Sequence, residues 1–222
     1  MEKRRVIFGT YNTAEDGLWT LAGWTLSDPE YQSSMVEVPG RDGPLDLSAA
    51  LTNGEPRYNG RTLTVSLESS EGTRLEREQR ISTMVNALDG WSMNIELPDD
   101  PDHYITGRVR VGRNYNDMAH AAVTVTAVCG PWRHSVAETI IELDAATEEQ
   151  EAVLINAGRR TVVPTVTISG DDASVSLVYG AYSWTLSAGL YQLPDLVLTS
   201  GSAVLSYKGS GKVTVAYREA VL

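Results

Sequence analysis

Most of the chain consists of short segments in which apolar and polar residues alternate, which is the period of a half-buried β-strand. The segment GRTLTVSLES places Leu63, Val65 and Leu67 on one face and only polar residues on the other. The same alternation in AAVTVTAVC puts Val123 and Val125 on an inward face. We therefore predict a mainly β fold.

One segment, EGTRLEREQRISTMVNALDGW, has a helical period instead. Its apolar side carries Ile81, Met84, Val85 and Leu88, spaced i, i+3, i+4 and i+7. Thr73 and Glu76 have the spacing of a capping box, which satisfies the first free backbone N–H groups of a helix. Gly90 supplies a residue that accepts a left-handed backbone at the helix end. The sequence therefore predicts one helix over 73–89.

Two polar, Gly- or Pro-containing stretches predict β-hairpin turns. Residues 98–102 (PDDPD) lie between two β-rich runs, so a solvated hairpin tip is expected there. The stretch KGSGKV resembles a phosphate-binding loop at Gly211 and Lys212, but Ser206 stands where that loop needs a glycine and Val213 where it needs serine or threonine. We predict a tight hairpin turn over 209–212 instead.

The pattern changes near residue 138. The second part of the chain contains strand-like runs of about five to eight residues separated by turn residues at close intervals, which is typical of an antiparallel sandwich. No helical period interrupts these runs. The predicted organisation is a strand-rich N-terminal domain with one helix over 1–137 and a C-terminal β-sandwich domain over 138–222.

Composition and charge exclude several classes of function. The 222 residues carry a net charge of −11, spread over both halves, which argues against binding a nucleic-acid duplex. No run of about 18 apolar residues is present, so no membrane span is expected. The start, MEKRRVIFGTYN, lacks the apolar stretch of a secretory signal. A single cysteine rules out an intrachain disulfide.

The residues that carry catalysis or bind metals do not form a recognisable set. His103, His120 and His134 are not at zinc-ligand spacing, and the carboxylates of PDDPD lack the spacing of a calcium loop. Cys129 lies inside a predicted strand and is expected to be a small buried thiol. We predict no enzyme activity, no metal and no cofactor. A glycan hydrolase stays open as a weaker alternative, because its paired carboxylates meet only in the folded chain.

An aromatic cluster suggests a binding role for the second domain. The stretch VYGAYSWTLSAGLY contains Tyr179, Tyr182, Trp184 and Tyr191. Exposed tyrosine and tryptophan rings stack on sugars, so a carbohydrate-binding or adhesin module is the alternative function. Alternation puts Tyr182 and Trp184 on one face, however, and the same pattern is expected for residues of the domain core.

A conspicuous loop region links these observations to a known family. The motif VPGRDGPLDLSAAL is followed by YNGRTLTVSLE, then the predicted helix, then LPDDPDHYITGRVRVG and TVTAVCGPWRH. This ordered set, over roughly residues 20–135, resembles the distal tail protein (Dit) family of long-tailed bacteriophages with non-contractile tails. The second half resembles that family only as a strand-rich sandwich of the expected size.

The resemblance implies a structural role without catalysis. In the family the first domain is a β-sandwich with a helix and a projecting β-hairpin, and six copies form a ring at the end of the tail tube. The second domain is galectin-like. The implied partners are other copies of the chain, the tube protein, the tail-tip or baseplate hub and receptor-binding proteins, with a host surface glycan as a further candidate. The implied location is the virion tail.

The loop itself is a candidate inter-subunit or tail contact. Gly40 and Gly43 permit a sharp reversal that most residues do not adopt. Arg41 and Asp42 then pair within the loop or across a subunit boundary, unless the loop is simply solvated. Apolar anchors for the loop are expected at Leu45, Leu47 and Leu51. A closed ring repeats one heterologous contact around its axis, which favours a stiff loop of this kind.

Overall fold

The computed structural model describes residues 5–14, 19–50, 52, 54–114 and 121–222. The chain divides into two compact units, Met1–Arg133 and His134–Leu222. The described residues form sixteen strands and one helix, so the predicted mainly β class is confirmed. The predicted domain division after residue 137 lies four residues beyond the boundary between the units; whether each part is an independent domain stays a prediction.

The first unit is a curled antiparallel sheet closed by a helix. Its strands are β1 (Ile7–Phe8), β2 (Tyr11–Asn12), β3 (Thr20–Leu26), β4 (Met35–Val36), β5 (Leu45–Asp46), β6 (Arg61–Ser69), β7 (Ser92–Leu97), β8 (Asp100–Asn114) and β9 (Ala121–Ser135), and its helix is α1 (Arg74–Leu88). The order in the main sheet is β2-β1-β7-β8-β9-β6-β3. Strands β4 and β5 form a separate two-stranded sheet.

Alternation in the sequence matches burial in this unit. Leu63, Val65 and Leu67 on β6 are fully buried, and they share one core with Val123 and Val125 on β9. Helix α1 closes this core with Ile81, Met84 and Leu88. Burial of large aliphatic side chains contributes about 1.5–3 kcal/mol each, so this shared core is the main stabilising feature of the unit.

The ends of α1 follow the predicted signals. The Thr73 hydroxyl accepts from the Glu76 N–H, and a Glu76 carboxylate oxygen accepts from the Thr73 N–H at 2.7 Å. The predicted capping box is therefore present. Gly90 has a φ of 83°, the left-handed backbone expected just beyond the helix.

The predicted hairpin after the helix is formed by β7 and β8, with a shorter turn than expected. Leu97 pairs with Asp100, so only Pro98 and Asp99 lie between the two strands. Asp100 is not part of a solvated tip: its carboxylate accepts from Arg133 and lies 2.7 Å from the His103 ring. The position of an arginine 33 residues away could not be read from the local turn pattern.

The second unit contains the remaining strands. They are β10 (Thr139–Ala145), β11 (Gln150–Asn156), β12 (Thr165–Tyr179), β13 (Tyr182–Ser187), β14 (Gly189–Gln192), β15 (Gly201–Tyr217) and β16 (Ala220–Val221). Strands β10 to β15 form one six-stranded antiparallel sheet. Its central strands β12 and β15 have 15 and 17 residues, and each is long enough to take part in both layers of a sandwich.

The register shows how this sheet becomes a sandwich. Strand β10 runs beside residues 211–217 of β15, whereas β11 runs beside residues 201–207. Likewise β14 pairs with residues 165–168 of β12, and β13 with residues 174–179. The two long strands therefore bend and contribute one half to each layer, β10-β15-β12-β14 and β11-β15-β12-β13. The residues between the layers form the second core.

The predicted hairpin turn at 209–212 is wrong, because these residues lie at the bend inside β15. A Cβ atom on Gly209 would lie 2.0 Å from the carbonyl oxygen of Ser174, and one on Gly211 would lie 2.7 Å from the Cβ of Ala173. The partner strand shifts its register at the same place, between Ser169 and Ser174. Such bulges let one strand pass from one layer to the other. The glycines therefore allow the backbones of β15 and β12 to approach closely, and they do not reverse the chain.

Two segments of the second unit contribute less strand than their apolar residues would allow. In TVVPTVTISG the strand begins only at Thr165, after Pro164, because proline offers no N–H to a ladder. The segment DLVLTSG contributes a single bridge, between Val162 and Leu198. None of the helical structure in the described residues has the length and hydropathy that a membrane crossing requires.

Candidate functional site

The candidate site is the segment that joins β3 to β6, residues 27–60, which we call the arm. Backbone hydrogen bonds continue the β3–β6 pairing beyond the sheet, from Ser27 N to Thr62 O at 3.0 Å, from Asn59 N to Glu30 O at 2.8 Å and from Gln32 N to Arg57 O at 2.9 Å. The two ends of the arm are thus held together, and the segment leaves and rejoins the unit at one place.

A row of aromatic rings fixes the base of the arm. Tyr31 and Tyr58 form a β-bridge, and their rings meet edge to face with centroids 6.2 Å apart. Tyr58 meets Trp132, on β9, in the same way at 5.7 Å. Edge-to-face pairs contribute about 0.5–1.5 kcal/mol beyond area burial. The sequence analysis missed this row, because Tyr58 and Trp132 are 74 positions apart and no local pattern joins them.

Beyond its base, the arm carries the two-stranded ribbon β4–β5. Met35 pairs with Asp46 and Val36 with Leu45. The ribbon is extended by the Leu47 N–H, which donates to Ser34 O at 2.8 Å. All residues from 31 to 47 are exposed except Leu45, which is half-buried. The projecting β-hairpin implied by the resemblance is therefore present in the first unit.

One side of the ribbon is apolar and exposed. Val36 and Leu45 are opposite each other, and alternation adds Val38 and Leu47 to the same side. The exposed fractions of Val36, Val38 and Leu47 are 42%, 40% and 39%. These four residues are called the apolar face of the ribbon below. The sequence analysis predicted its two leucines as apolar anchors. It missed the two valines, which precede the glycine-rich turn in the chain.

The loop at the tip is shaped by glycines and carries two exposed charged residues. Gly40 and Gly43 have φ values of 83° and 78°, as expected for a reversal that needs left-handed residues. Arg41 and Asp42 between them are exposed, and the ion pairs found among the described residues involve neither of them. Leu51, expected as a third anchor, lies outside the described residues.

A polar cluster lies at the end of the first core, near the base of the arm. The Arg61 Nε–H donates to Ser27 O at 2.6 Å, and the side chain is 6% exposed. Burial lowers the pKa of Arg61, and the nearby positive charge of Arg133 lowers it further. The neighbouring thiol of Cys129 is buried, and burial raises its pKa to about 11. Such a thiol is protonated and unreactive near neutral pH.

The predicted aromatic cluster of the second unit divides into core and surface residues. Trp184 packs against the second core, and the rings of Tyr182 and Trp184 stack with centroids 6.1 Å apart. The Tyr179 hydroxyl donates to Val197 O at 2.7 Å, and the Tyr191 hydroxyl donates to Ser187 O at 3.1 Å. Tyr182 is 50% exposed and is the ring of this set that presents most to solvent.

The histidines and carboxylates do not come together as a metal site in the part of the chain that the structure describes. The His103 ring lies within hydrogen-bond distance of Asp100, as noted. Partial burial lowers the pKa of His134, and the nearby positive charge of Arg160 lowers it further. His120 lies outside the described residues. The chemistry available at the arm is therefore that of a contact surface: a stiff base, an apolar face and two charges at the tip.

Comparison with known proteins gives a match at the level of structure. No family model and no curated protein sequence matches the chain. The crystal structure of SPP1 Dit (gp 19.1) matches with a TM-score of 0.68 at 14% sequence identity, and all of both chains is covered. That protein is described as a paradigm of the hub adsorption apparatus in phages that infect Gram-positive bacteria. The resemblance inferred from the N-terminal motifs is confirmed as a shared fold, which extends over both units.

Proposed function

We propose that this chain is a structural hub protein of a phage or prophage tail. Six copies form a ring that joins the distal end of the tail tube to the tail tip or baseplate and to the host-adhesion proteins. The shared fold with SPP1 Dit supports this role, and so does the motif order over residues 20–135. The protein acts in the virion tail, and its function needs no catalytic group and no cofactor.

The observation that carries the proposal is the exposed apolar face of the ribbon. A two-stranded ribbon on its own is marginally stable in water, and it gains stability when an apolar side is covered. The four apolar residues belong to an arm whose base is fixed by hydrogen bonds and edge-to-face rings. An arm that is fixed at its base and has one apolar side on its ribbon fits a repeated contact with the next copy in a closed ring.

The experiment compares the assembly of the unchanged chain with that of Val36→Asp. The substitution puts a charge in the centre of the apolar face, and a buried unpaired charge is strongly unfavourable. We expect ring-sized particles for the unchanged chain and single chains or small oligomers for Val36→Asp. Leu75→Asp is the matched control, since Leu75 is also an exposed apolar residue of the first unit, 69% exposed, but lies outside the arm.

Arg41 and Asp42 are proposed to contact the neighbouring copy rather than each other. Arg41→Ala then weakens assembly by roughly tenfold, the effect of about 1.4 kcal/mol. The thermal unfolding temperature of the separate subunit stays unchanged, because the side chain contacts solvent there. Equal assembly of Arg41→Ala and the unchanged chain would leave the two residues as a solvated tip.

A second candidate function rests on the exposed ring of Tyr182. In a carbohydrate-binding or adhesin module, this ring would stack on a sugar of the host surface. A glycan array with the unchanged chain and with Tyr182→Ala separates the two functions. Binding that is lost in Tyr182→Ala favours the adhesin module, whereas a blank array with ring-sized particles favours the hub alone.

A further inference from the structure

A second surface capable of self-association lies in the other unit, at the outer edge of β11. Strand β11 pairs with β15 over seven residues in unbroken register. Among the described strands, none pairs with its other edge. Natural edge strands are usually protected by proline, a bulge, short length or a central lysine. Residues 150–156 of β11 have the sequence QEAVLIN and contain neither proline nor lysine.

The hydrogen bonds show which residues face the open edge. The Gly209 N–H donates to the carbonyl oxygen of Ala146, in the segment that joins β10 to β11. Both of these strands pair with the edge of β15 that is opposite β12, so the odd-numbered residues of β15 direct their backbone groups toward β11. Their partners on β11 are the even-numbered residues. The odd-numbered residues of β11 therefore point outward, in agreement with Ile155 O, which accepts from the Tyr217 hydroxyl. Glu151 and Val153 are left with outward N–H and C=O groups.

An apolar patch lies beside this open edge. Val153 and Val204 are directly opposite each other on the outer face, and Ile155 is the diagonal neighbour. Their exposed fractions are 57%, 50% and 56%. An exposed and regular edge with apolar, β-branched side chains readily adds another strand. Side chains of this patch would then be covered together with the backbone groups.

The charges around β11 identify the strand that fits. The N-terminal end of the segment is acidic, with Glu148 and Glu149 before β11 and Glu151 near its start. The C-terminal end is basic, with Arg159 and Arg160 after the strand. These side chains are all exposed. An antiparallel pair of two such segments brings the acidic end of each against the basic end of the other. Opposite charges on adjacent strands stabilise a pair, and like charges destabilise it. The segment is complementary to itself.

From these observations we infer that β11 pairs antiparallel with β11 of a second copy of the chain, about a two-fold axis close to Val153. The contact is isologous and joins two second units, whereas the ring contact proposed for the arm is heterologous. It does not rest on the proposed hub role. The pairing extends the layer β11-β15-β12-β13 across two copies and joins their two apolar patches.

The test uses the Val36→Asp chain, so that contacts through the arm do not contribute. Sedimentation equilibrium over a wide concentration range is expected to give a two-chain species, about 48 kDa from two chains of 24.1 kDa, that dissociates on dilution. Adding Val153→Pro removes the outward N–H at a position where an edge strand tolerates proline, and should give single chains. Val153→Thr keeps the N–H and the branched shape, and should still pair.

Charge reversal tests the identity of the partner. Glu149→Arg is expected to weaken the pair about tenfold, and Arg160→Glu added to it should restore most of the affinity. Circular dichroism shows whether the Val153→Pro chain folds. If it does not fold, Val153→Lys is the second variant of the edge. Single chains at every concentration for Val36→Asp, or an unchanged two-chain species with both Val153→Pro and Val153→Lys, would overturn the inference.

Discussion

Two regions of the first unit contain similar apolar residues in opposite surroundings. On β6, Leu63, Val65 and Leu67 are completely buried against helix α1 and the strands around them. On the ribbon, Val36 and Val38 keep about two fifths of their surface exposed. Both regions alternate along a strand, and both would be read as one apolar face of a sheet. Among the described residues, only the apolar face of β6 is covered by other parts of the chain.

The difference separates what stabilises the subunit from what is available for assembly. Removing a buried methyl group leaves a cavity, whereas removing an exposed one leaves only water in its place. The core residues should therefore determine the stability of the fold. The ribbon residues should affect assembly while the separate subunit stays equally stable.

The largest expected effect comes from truncating a core residue. Leu63→Ala should lower the free energy of unfolding by about 3 kcal/mol, the usual cost of a buried leucine-to-alanine cavity. Val36→Ala should change it by less than about 0.5 kcal/mol, as for most surface substitutions. Chemical denaturation of both variants, under conditions in which the chain is a single subunit, measures the difference. Similar losses would mean that the ribbon is packed on its own unit.

The next effect compares two glycines, one at the bend of β15 and one in the arm. Gly209→Ala should cost about 3 kcal/mol, because the added Cβ meets the Ser174 carbonyl oxygen and the backbone conformation is strained. Gly40→Ala has open space around it and meets only the conformational cost, about 1 kcal/mol. Thermal unfolding measures both. A larger loss of stability for Gly40→Ala than for Gly209→Ala would contradict the conclusion that Gly209 is needed for close contact between two strands.

A smaller effect is expected at the start of α1. Thr73→Ala removes one half of the capping box and should cost about 1 kcal/mol. The backbone and side-chain hydrogen bonds of Thr73 lower the pKa of Glu76. The stability that Glu76 contributes is therefore present above its unfolded pKa and is lost as the pH falls through its folded pKa. Urea denaturation at several acidic pH values should show a weaker dependence on pH in Glu76→Gln.

The last prediction concerns the reactivity of two thiols and not the stability of the fold. The thiol of Cys129 is buried, and its pKa is raised to about 11, so the folded chain should react slowly with iodoacetamide near pH 8. A cysteine introduced by Val36→Cys, in a chain that also carries Cys129→Ala, should react much faster than Cys129 does when the chain is kept as a single subunit. Equal protection of the two thiols under those conditions would mean that the ribbon is covered within its own subunit.

Sequence patterns predicted the elements whose causes are local. The alternation on β6, the spacing of the apolar residues on α1 and the Thr73–Glu76 capping box each depend on neighbours within a few positions. The same holds for the turn glycines at 40 and 43. The resemblance to distal tail proteins also came from short motifs in order, and the structure extends it to the second unit.

Features that depend on distant parts of the chain were missed or misinterpreted. The sequence GSGK looks like a turn, but its glycines accommodate the Ser169–Ser174 bulge of another strand. The pairing of Tyr58 with Trp132 and that of Asp100 with Arg133 join residues far apart in the sequence. Apolar alternation alone could not distinguish the covered face of β6 from the exposed face of the ribbon.

The most direct test of the account is the particle mass of the unchanged chain and of Val36→Asp, measured by light scattering at the same concentrations. The account predicts particles of six chains, about 145 kDa from chains of 24.1 kDa, or twice that mass where β11 strands pair. Val36→Asp should give at most two chains, and the Leu75→Asp control should match the unchanged chain. Equal masses for the unchanged chain and Val36→Asp would contradict the central claim that the apolar face of the ribbon holds the subunits together.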